Sequence, residues 1–245
     1  MNAVIKADRL TKQFGDFVAV DHISFEINPG EIFGFLGANG AGKTTAMRML
    51  CGLSRPSSGR AEVAGFDAAR YPEEIKKHIG YMSQRFSLYG DLTVAENIRF
   101  FGGVYGLGRR QIKEKSNELI ARLQLQKEAG QLVRSLPLGW KQRLAFSIAI
   151  LHDPKIVFLD EPTGGVDPLS RKQFWDLIYE TADKGITIFV TTHYLDEAEY
   201  CDRLSIMVDG RIDVLGSPGE LKAKFKVETM EDVFYLFARR AKNTE

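Results

Sequence analysis

The sequence predicts an α/β protein, a mostly parallel core sheet interrupted by a helical lobe. Three observations carry this. Short apolar strands alternate with helical stretches in the first and last thirds of the chain. A glycine-rich loop, Gly37 to Gly42, stands between a strand and a helix. From about residue 84 to 151 the pattern turns wholly helical before the alternation resumes. A length of 245 residues suits one domain or two closely fused lobes with a sizeable core.

Taken in order, residues 17 to 36 alternate and then become solidly apolar: Ile23-Ser-Phe-Glu-Ile27, a Pro29-Gly30 turn, then Ile32-Phe-Gly-Phe-Leu36. This reads as a hairpin leading into a buried strand. A helix is expected over 44–50, and short β segments over 60–64 and 79–82. In the helical part, Thr93-Val-Ala-Glu96 has the form of a capping box ahead of a helix holding Ile98, Phe100 and Phe101. Residues 111–125 carry Ile112, Leu119, Ile120 and Leu123 amid charge, and Pro137 opens a further helix at a position where its missing N–H costs nothing. The α/β rhythm then returns: a strand over 156–159, a helix over 168–182 and a strand over 186–191. A short helix, a hairpin turning at Asp209-Gly210 and a terminal helix with Val233, Phe234, Leu236 and Phe237 complete the chain.

Composition excludes several classes. The formal net charge is +1, which gives no support to a nucleic-acid binder, so no nucleic acid is expected. Cys51 and Cys201 stand far apart in no metal or redox spacing and read as buried free thiols. His22, His78 and His152 are scattered and suggest no metal cluster. No apolar run reaches the length of a signal core or a membrane span. A role at a membrane would therefore need another polypeptide, or another part of a parent chain, to cross it.

Two motifs carry chemistry. Gly37-Ala-Asn39-Gly40-Ala41-Gly42-Lys43-Thr44 fits GxxxxGK[ST] between strand and helix. Such a loop turns backbone N–H groups inward around the β- and γ-phosphates of a nucleotide, and the helix N-terminus adds positive potential. Lys43 supplies a point charge on the phosphates and the Thr44 hydroxyl a ligand for Mg²⁺, so ATP and Mg²⁺ are the expected cofactors. Ile156-Val-Phe-Leu-Asp160-Glu161 is an apolar strand ending in two acids that point apart on an extended chain. Alone, such a pair is often a solvated turn. Behind a phosphate loop, Asp160 fits the Mg²⁺-side acid and Glu161 the base that takes a proton from the attacking water.

With Asp160-Glu-Pro-Thr163, Gly165-Val-Asp167 and Thr192-His193 in that order, the chain resembles the ATPase subunits of ABC transporters over about residues 3–240. Gln84 stands where that family keeps its glutamine loop. Segments 86–90, 100–106 and 136–144 resemble the drug-exporter branch, closest to the C-terminal ATPase half of tandem, YbhF-type subunits. The resemblance implies a P-loop NTPase core sheet with an antiparallel β subdomain and a helical subdomain, the ABC ATPase fold. It implies one such domain over 1–245: core about 1–84 and 152–215, helical lobe about 85–151, and a C-terminal helical extension about 216–245. It also implies that Phe14 stacks on adenine and that Thr45 joins the phosphate cradle. Gln84 would touch metal and water, His193 would hold the γ-phosphate with Glu161 and water in line, and Asp167 would lie at a dimer seam. Taken singly, Phe14 would be read as core, Gln84 as surface, His193 as structural and Asp167 as an N-cap before Pro168.

One stretch departs from the family pattern. The signature loop, normally Leu-Ser-Gly-Gly-Gln or a near variant, faces the ATP of the opposite subunit. Here it reads Leu136-Pro137-Leu138-Gly139-Trp140, with Gly139 retained for that contact and the serine and one glycine gone. A lost bond to a charged oxygen is worth about 1.5–3 kcal/mol. The loop is therefore expected to support slow hydrolysis, and the physiological pair to be a hetero or tandem dimer more than a homodimer. The expected partners are a second ABC ATPase domain and an integral membrane permease of an exporter, at the cytoplasmic face of the cell membrane. Tyr81, Phe86, Leu88 and Tyr89 would help form the docking surface. The alternative is a soluble ABC ATPase acting on nucleic acid, ribosomes or iron–sulfur assembly.

Overall fold

The structure, a computed structural model, describes residues 3–84 and 88–242. Its strands are β1 (Ile5–Phe14), β2 (Phe17–Ile27), β3 (Ile32–Leu36), β4 (Ser58–Val63), β5 (Phe66–Asp67), β6 (Ile79–Met82), β7 (Ile156–Asp160), β8 (Thr187–Thr192), β9 (Arg203–Val208) and β10 (Arg211–Gly216). Its helices are α1 (Lys43–Leu50), α2 (Pro72–His78), α3 (Val94–Val104), α4 (Arg109–Arg122), α5 (Leu138–Ala149), α6 (Pro168–Ala182), α7 (Pro218–Phe225) and α8 (Met230–Lys242).

The strands form two sheets. One, in the order β2-β1-β4-β5, is antiparallel; the other runs β10-β9-β3-β8-β7-β6 and is parallel from β9 to β6, with β10 added antiparallel at its edge. Burial explains the division. Every residue of β3, β7 and β8 is buried, as strands covered on both faces must be. Residues 23–27 of β2 alternate between buried and exposed, as suits a sheet covered on one face.

This corrects the expected hairpin over residues 17–36. Gly30 does turn the chain, at φ +76°, but the turn passes it from one sheet to the other. The partner of β2 is β1, Phe14 opposite Phe17 across a turn at Gly15, and β3 lies between β8 and β9. The two sheets meet through their aromatics: Phe25 of β2 stacks on Phe33 of β3 at 5.7 Å and meets Phe35 at 5.6 Å. Full burial of one such ring contributes about 1.5–3 kcal/mol.

The helices α3, α4 and α5 stand between β6 and β7 in the chain. Thr93 and Glu96 form the capping box of α3, each side chain bonded to the other's backbone N–H. Pro137 is the cap residue of α5, not its first helical residue: its ψ of 151° is extended, and Leu138 opens the helix. Phe146 of α5 meets Phe174 of α6 at 5.4 Å on the face of the parallel sheet that carries Val157, Leu159 and Val190. Leu221, Met230, Val233 and Phe237, from α7 and the start of α8, pack on Leu204 and Ile206 of β9.

Candidate active site

Three strand ends of the parallel sheet converge: β3 with its phosphate loop, β7 with its two acids, and β8 with its histidine. The loop leaves β3 at Leu36 and reaches α1 through left-handed turns at Gly40 (φ +85°) and Gly42 (φ +102°). A Cβ at Gly37 would stand 2.5 Å from the carbonyl oxygen of Met207, and one at Gly42 2.4 Å from that of Ala19. Neighbouring backbone thus presses on the loop, and only glycine fits at either position. Ala41 is buried and ties the loop to its own start, its N–H donating to Ala38 O at 3.2 Å.

Lys43 is 4% exposed, and its Nζ donates to the carbonyls of Gly37 (2.8 Å) and Ala38 (3.1 Å). The same ammonium lies 3.3 Å from Glu161 Oε1. Thr44 Oγ1 donates to Asp160 Oδ1 at 3.0 Å, and Thr191 Oγ1 donates to the same oxygen at 2.7 Å. Asp160 and Thr191 are register partners in β7 and β8, which is how residues far apart in sequence come to share one atom.

Glu161 departs from the strand. Its φ is +47°, and its N–H donates to both the carbonyl (3.1 Å) and the hydroxyl (3.0 Å) of Thr191, which hold this turn in place. Its carboxylate is thereby turned to meet three other segments. Oε1 faces Lys43; Oε2 accepts from Gln84 Nε2 at 3.0 Å and lies 2.9 Å from His193 Nδ1. Nearby, burial and then the charge of Asp160 push the Tyr81 hydroxyl up to about 12.

A hollow of about 260 Å³ is lined by Phe17, Asn39, Gly40, Thr45, Gln84 and Glu161, among others. Of the residues expected here, Phe14 does not line it: the ring is 55% exposed at the end of β1, with Lys12 Nζ 5.0 Å from its centroid. Phe17, directly opposite on the hairpin, is the aromatic at the hollow. Gly139 is buried in the first turn of α5, where a Cβ would come within 2.6 Å of Ser170 in α6. Leu138 lines a second hollow, also about 260 Å³, together with Gln84, Gln142 and Glu161 of its own chain. Asp167 caps α6 by accepting from Ser170 N, and bonds from Ser170 lower its pKa.

Among the docking candidates, Tyr81 packs against the core, Leu88 is buried and Tyr89 is exposed; Phe86 lies outside the described residues. Tyr89 forms an edge contact with exposed Phe100 at 4.9 Å, a pair that the sequence reading did not join. One further residue at the site went unforeseen, Thr191, which reaches Asp160 through sheet register and belongs to no contiguous motif.

The donor set suits a nucleotide triphosphate with Mg²⁺. Among the described residues no group of three or more His, Cys, Asp or Glu side chains could hold a metal alone. One carboxylate and one hydroxyl, Asp160 and Thr44, do suffice for Mg²⁺ when phosphate oxygens and water complete its shell. The glycine cradle and a helix N-terminus provide for the phosphates.

The profile of the family described as "ABC transporter" matches residues 20–164. The chain is 50% identical over 236 residues to the probable multidrug ABC transporter ATP-binding protein YbhF of Escherichia coli K12, covering 94% of this chain and 41% of that protein. It is 38% identical over 222 residues to the Nod factor export ATP-binding protein I of Cupriavidus metallidurans, covering 90% and 73%. A solved structure described as the ATP binding subunit of an ABC transporter superposes with a TM-score of 0.86 at 26% identity, covering 96% of this chain and 99% of that one. The chain thus spans well under half the length of the YbhF relative.

Proposed function

The chain belongs to the ABC transporter family, and from that premise we propose that it is an ATP-hydrolysing domain that couples ATP-driven dimerisation to export through a membrane permease. The observation that carries the proposal is the Glu161 carboxylate. It meets Lys43, Gln84 and His193 at the end of a hollow floored by a phosphate loop.

The chemistry follows from those contacts. The loop N–H groups and Lys43 neutralise the phosphate oxygens, and an arriving γ-phosphate competes with Glu161 Oε1 for the ammonium. Thr44 and Asp160 would hold Mg²⁺, which supplies charge neutralisation across the β- and γ-phosphates. Glu161, freed on one oxygen and held on the other by Gln84 and His193, takes a proton from water. The water oxygen bonds to the γ-phosphorus, the bond to the bridging oxygen breaks, and ADP and phosphate result. Phe17 lines the hollow and offers a face for adenine, either with Phe14 or in its place. Gly139, Asp167 and Leu138 would be offered to the ATP of a second ATPase domain.

No described helix is long and apolar enough to cross a membrane, so the permease is a separate polypeptide or segment. The exposed Tyr89–Phe100 pair, next to the glutamine loop, is the proposed contact. Export is supported by the relatives named above, and the transported substrate would be chosen in the permease. The test has two parts. The chain should hydrolyse Mg-ATP in a manner lost in Lys43→Ala, and it should co-purify from detergent-solubilised membranes with an integral membrane protein. Turnover indifferent to Lys43 would remove the first assignment; recovery with ribosomes or nucleic acid instead of a permease would remove the second.

A further inference from the structure

Glu197 has no part in the chemistry above. It lies in the 3₁₀ turn Asp196–Tyr200 that follows β8, with its side chain 0% exposed. Its Oε1 accepts from Thr163 Oγ1 at 2.5 Å and its Oε2 from Thr192 Oγ1 at 2.6 Å. Thr163 stands two residues after Glu161, and Thr192 immediately before His193. Arg171 of α6 brings its Nε to 3.8 Å from the same carboxylate. That guanidinium also bonds Asp196 at 2.9 Å and lies 4.3 Å above the Tyr194 ring, which is itself 4.3 Å from the ring of His193.

A carboxylate withdrawn from water is costly unless its oxygens are bonded, and an apolar side chain would fill the same space without that cost. The two hydroxyls that bond this one belong to the loop of the base and the loop of the histidine. We propose that Glu197 is a positioning residue: it pins these loops together so that His193 Nδ1 stays in register with Glu161 Oε2. The inference rests on the hydrolytic reading of the site. Its content is that the geometry of the base is set from a side chain that touches neither ATP nor water.

The test uses Thr163→Val, which deletes only the bond to Glu197, and Thr192→Val, which deletes the bond to Glu197 and the one accepted from Tyr194 N, both at nearly constant volume, beside Glu197→Gln and Glu197→Leu. An amide can accept from one hydroxyl and donate to the other, so Gln should rescue in part what Leu loses. Thr192→Val should lower kcat by between about tenfold and a hundredfold while ATP affinity stays within about twofold of the parent. In a His193→Ala background the same change should cost nothing more, because its effect passes through the histidine. The imidazole nitrogen resonances of His193 should shift in Thr192→Val while those of exposed His22 stay put. Parental kcat in both valine variants, an undiminished loss without His193, or unmoved His193 resonances would overturn the proposal, whether or not the Glu197 variants fold. A chain with no Lys43-dependent hydrolysis would instead sink the functional reading, and the His193 resonances would still decide this one.

Discussion

At Glu161 the backbone adopts a conformation that side chains other than glycine avoid, at a cost on the order of 1–3 kcal/mol. What it gains is a carboxylate turned away from that of Asp160 and toward Lys43, Gln84 and His193. Glu161→Gln keeps the shape and removes the proton acceptor, so turnover should vanish while ATP binding persists and a closed dimer accumulates. Size-exclusion chromatography with ATP, beside a phosphate-release assay, checks both. Lys43→Ala should weaken Mg-ATP binding more than tenfold by calorimetry, since it removes the one buried cation among the described residues of the hollow's lining. Lys43 and Thr44 were legible in the sequence because a phosphate cradle is built from contiguous backbone. Thr191 was not, because its hydroxyl reaches Asp160 only once β7 and β8 are in register. The resemblance pointed to Phe14, while Phe17, facing it across the hairpin, is the aromatic that lines the hollow, a neighbourhood that alternation along one strand does not reveal.

Among the elements, α3 was legible down to its first turn, because a capping box is a local device. Thr93→Ala should cost about 1 kcal/mol in urea unfolding. The hairpin expected over residues 17–36 was misread for an instructive reason: the turn chemistry of Pro29-Gly30 is local, but the choice of partner strand is not. The pattern did hold a clue, since an alternating run beside a continuously apolar one belongs to sheets with different cover.

Where the helical lobe joins the sheet, His152 stacks on Tyr105 at 4.0 Å and bonds Ile79 O through Nε2 at 3.1 Å. Burial, outweighing that bond and the charge of Asp153, holds its pKa below the ordinary value, with Lys115 and His78 pushing the same way. As pH falls, the unfolded chain therefore takes up the proton first. The stabilisation is complete above the ordinary histidine pKa of about 6.5 and is lost as pH drops through the lower folded value. His152→Gln should flatten the decline in stability between pH 7 and pH 5, measured by urea midpoints. An unchanged slope would place the acid sensitivity elsewhere.

For the molecule as a whole, the proposed reading puts the parts that would hold and cleave ATP on one chain, whereas the altered residues, Pro137 and Leu138, would be offered to a second chain. A homodimer would carry that alteration in both sites, so pairing with a domain bearing an ordinary signature is expected. Leu138 lies beside Gln84 and Glu161 of its own chain, which brings the alteration to this site as well. Restoring Ser at 137 and Gly at 138 should raise hydrolysis by the chain at least tenfold at saturating protein concentration. Fast turnover without the change would defeat the expectation.

The sheet also orders events during synthesis. Ile32 of β3 pairs with Ile188 of β8, and the other edge of β3 awaits Arg203 and Leu204 of β9. At about 5–20 residues per second, roughly eight to thirty seconds separate the emergence of the strand from that of its first neighbour. Throughout that interval the five residues of β3 and the phosphate loop leave the ribosome with neither wall of their site in existence, although β1, β2 and β4 can already pair. A nascent chain stopped before β8 would carry the complete glycine loop without Thr191 or His193 beside it, so the proposed nucleotide site would assemble only once β8 has emerged.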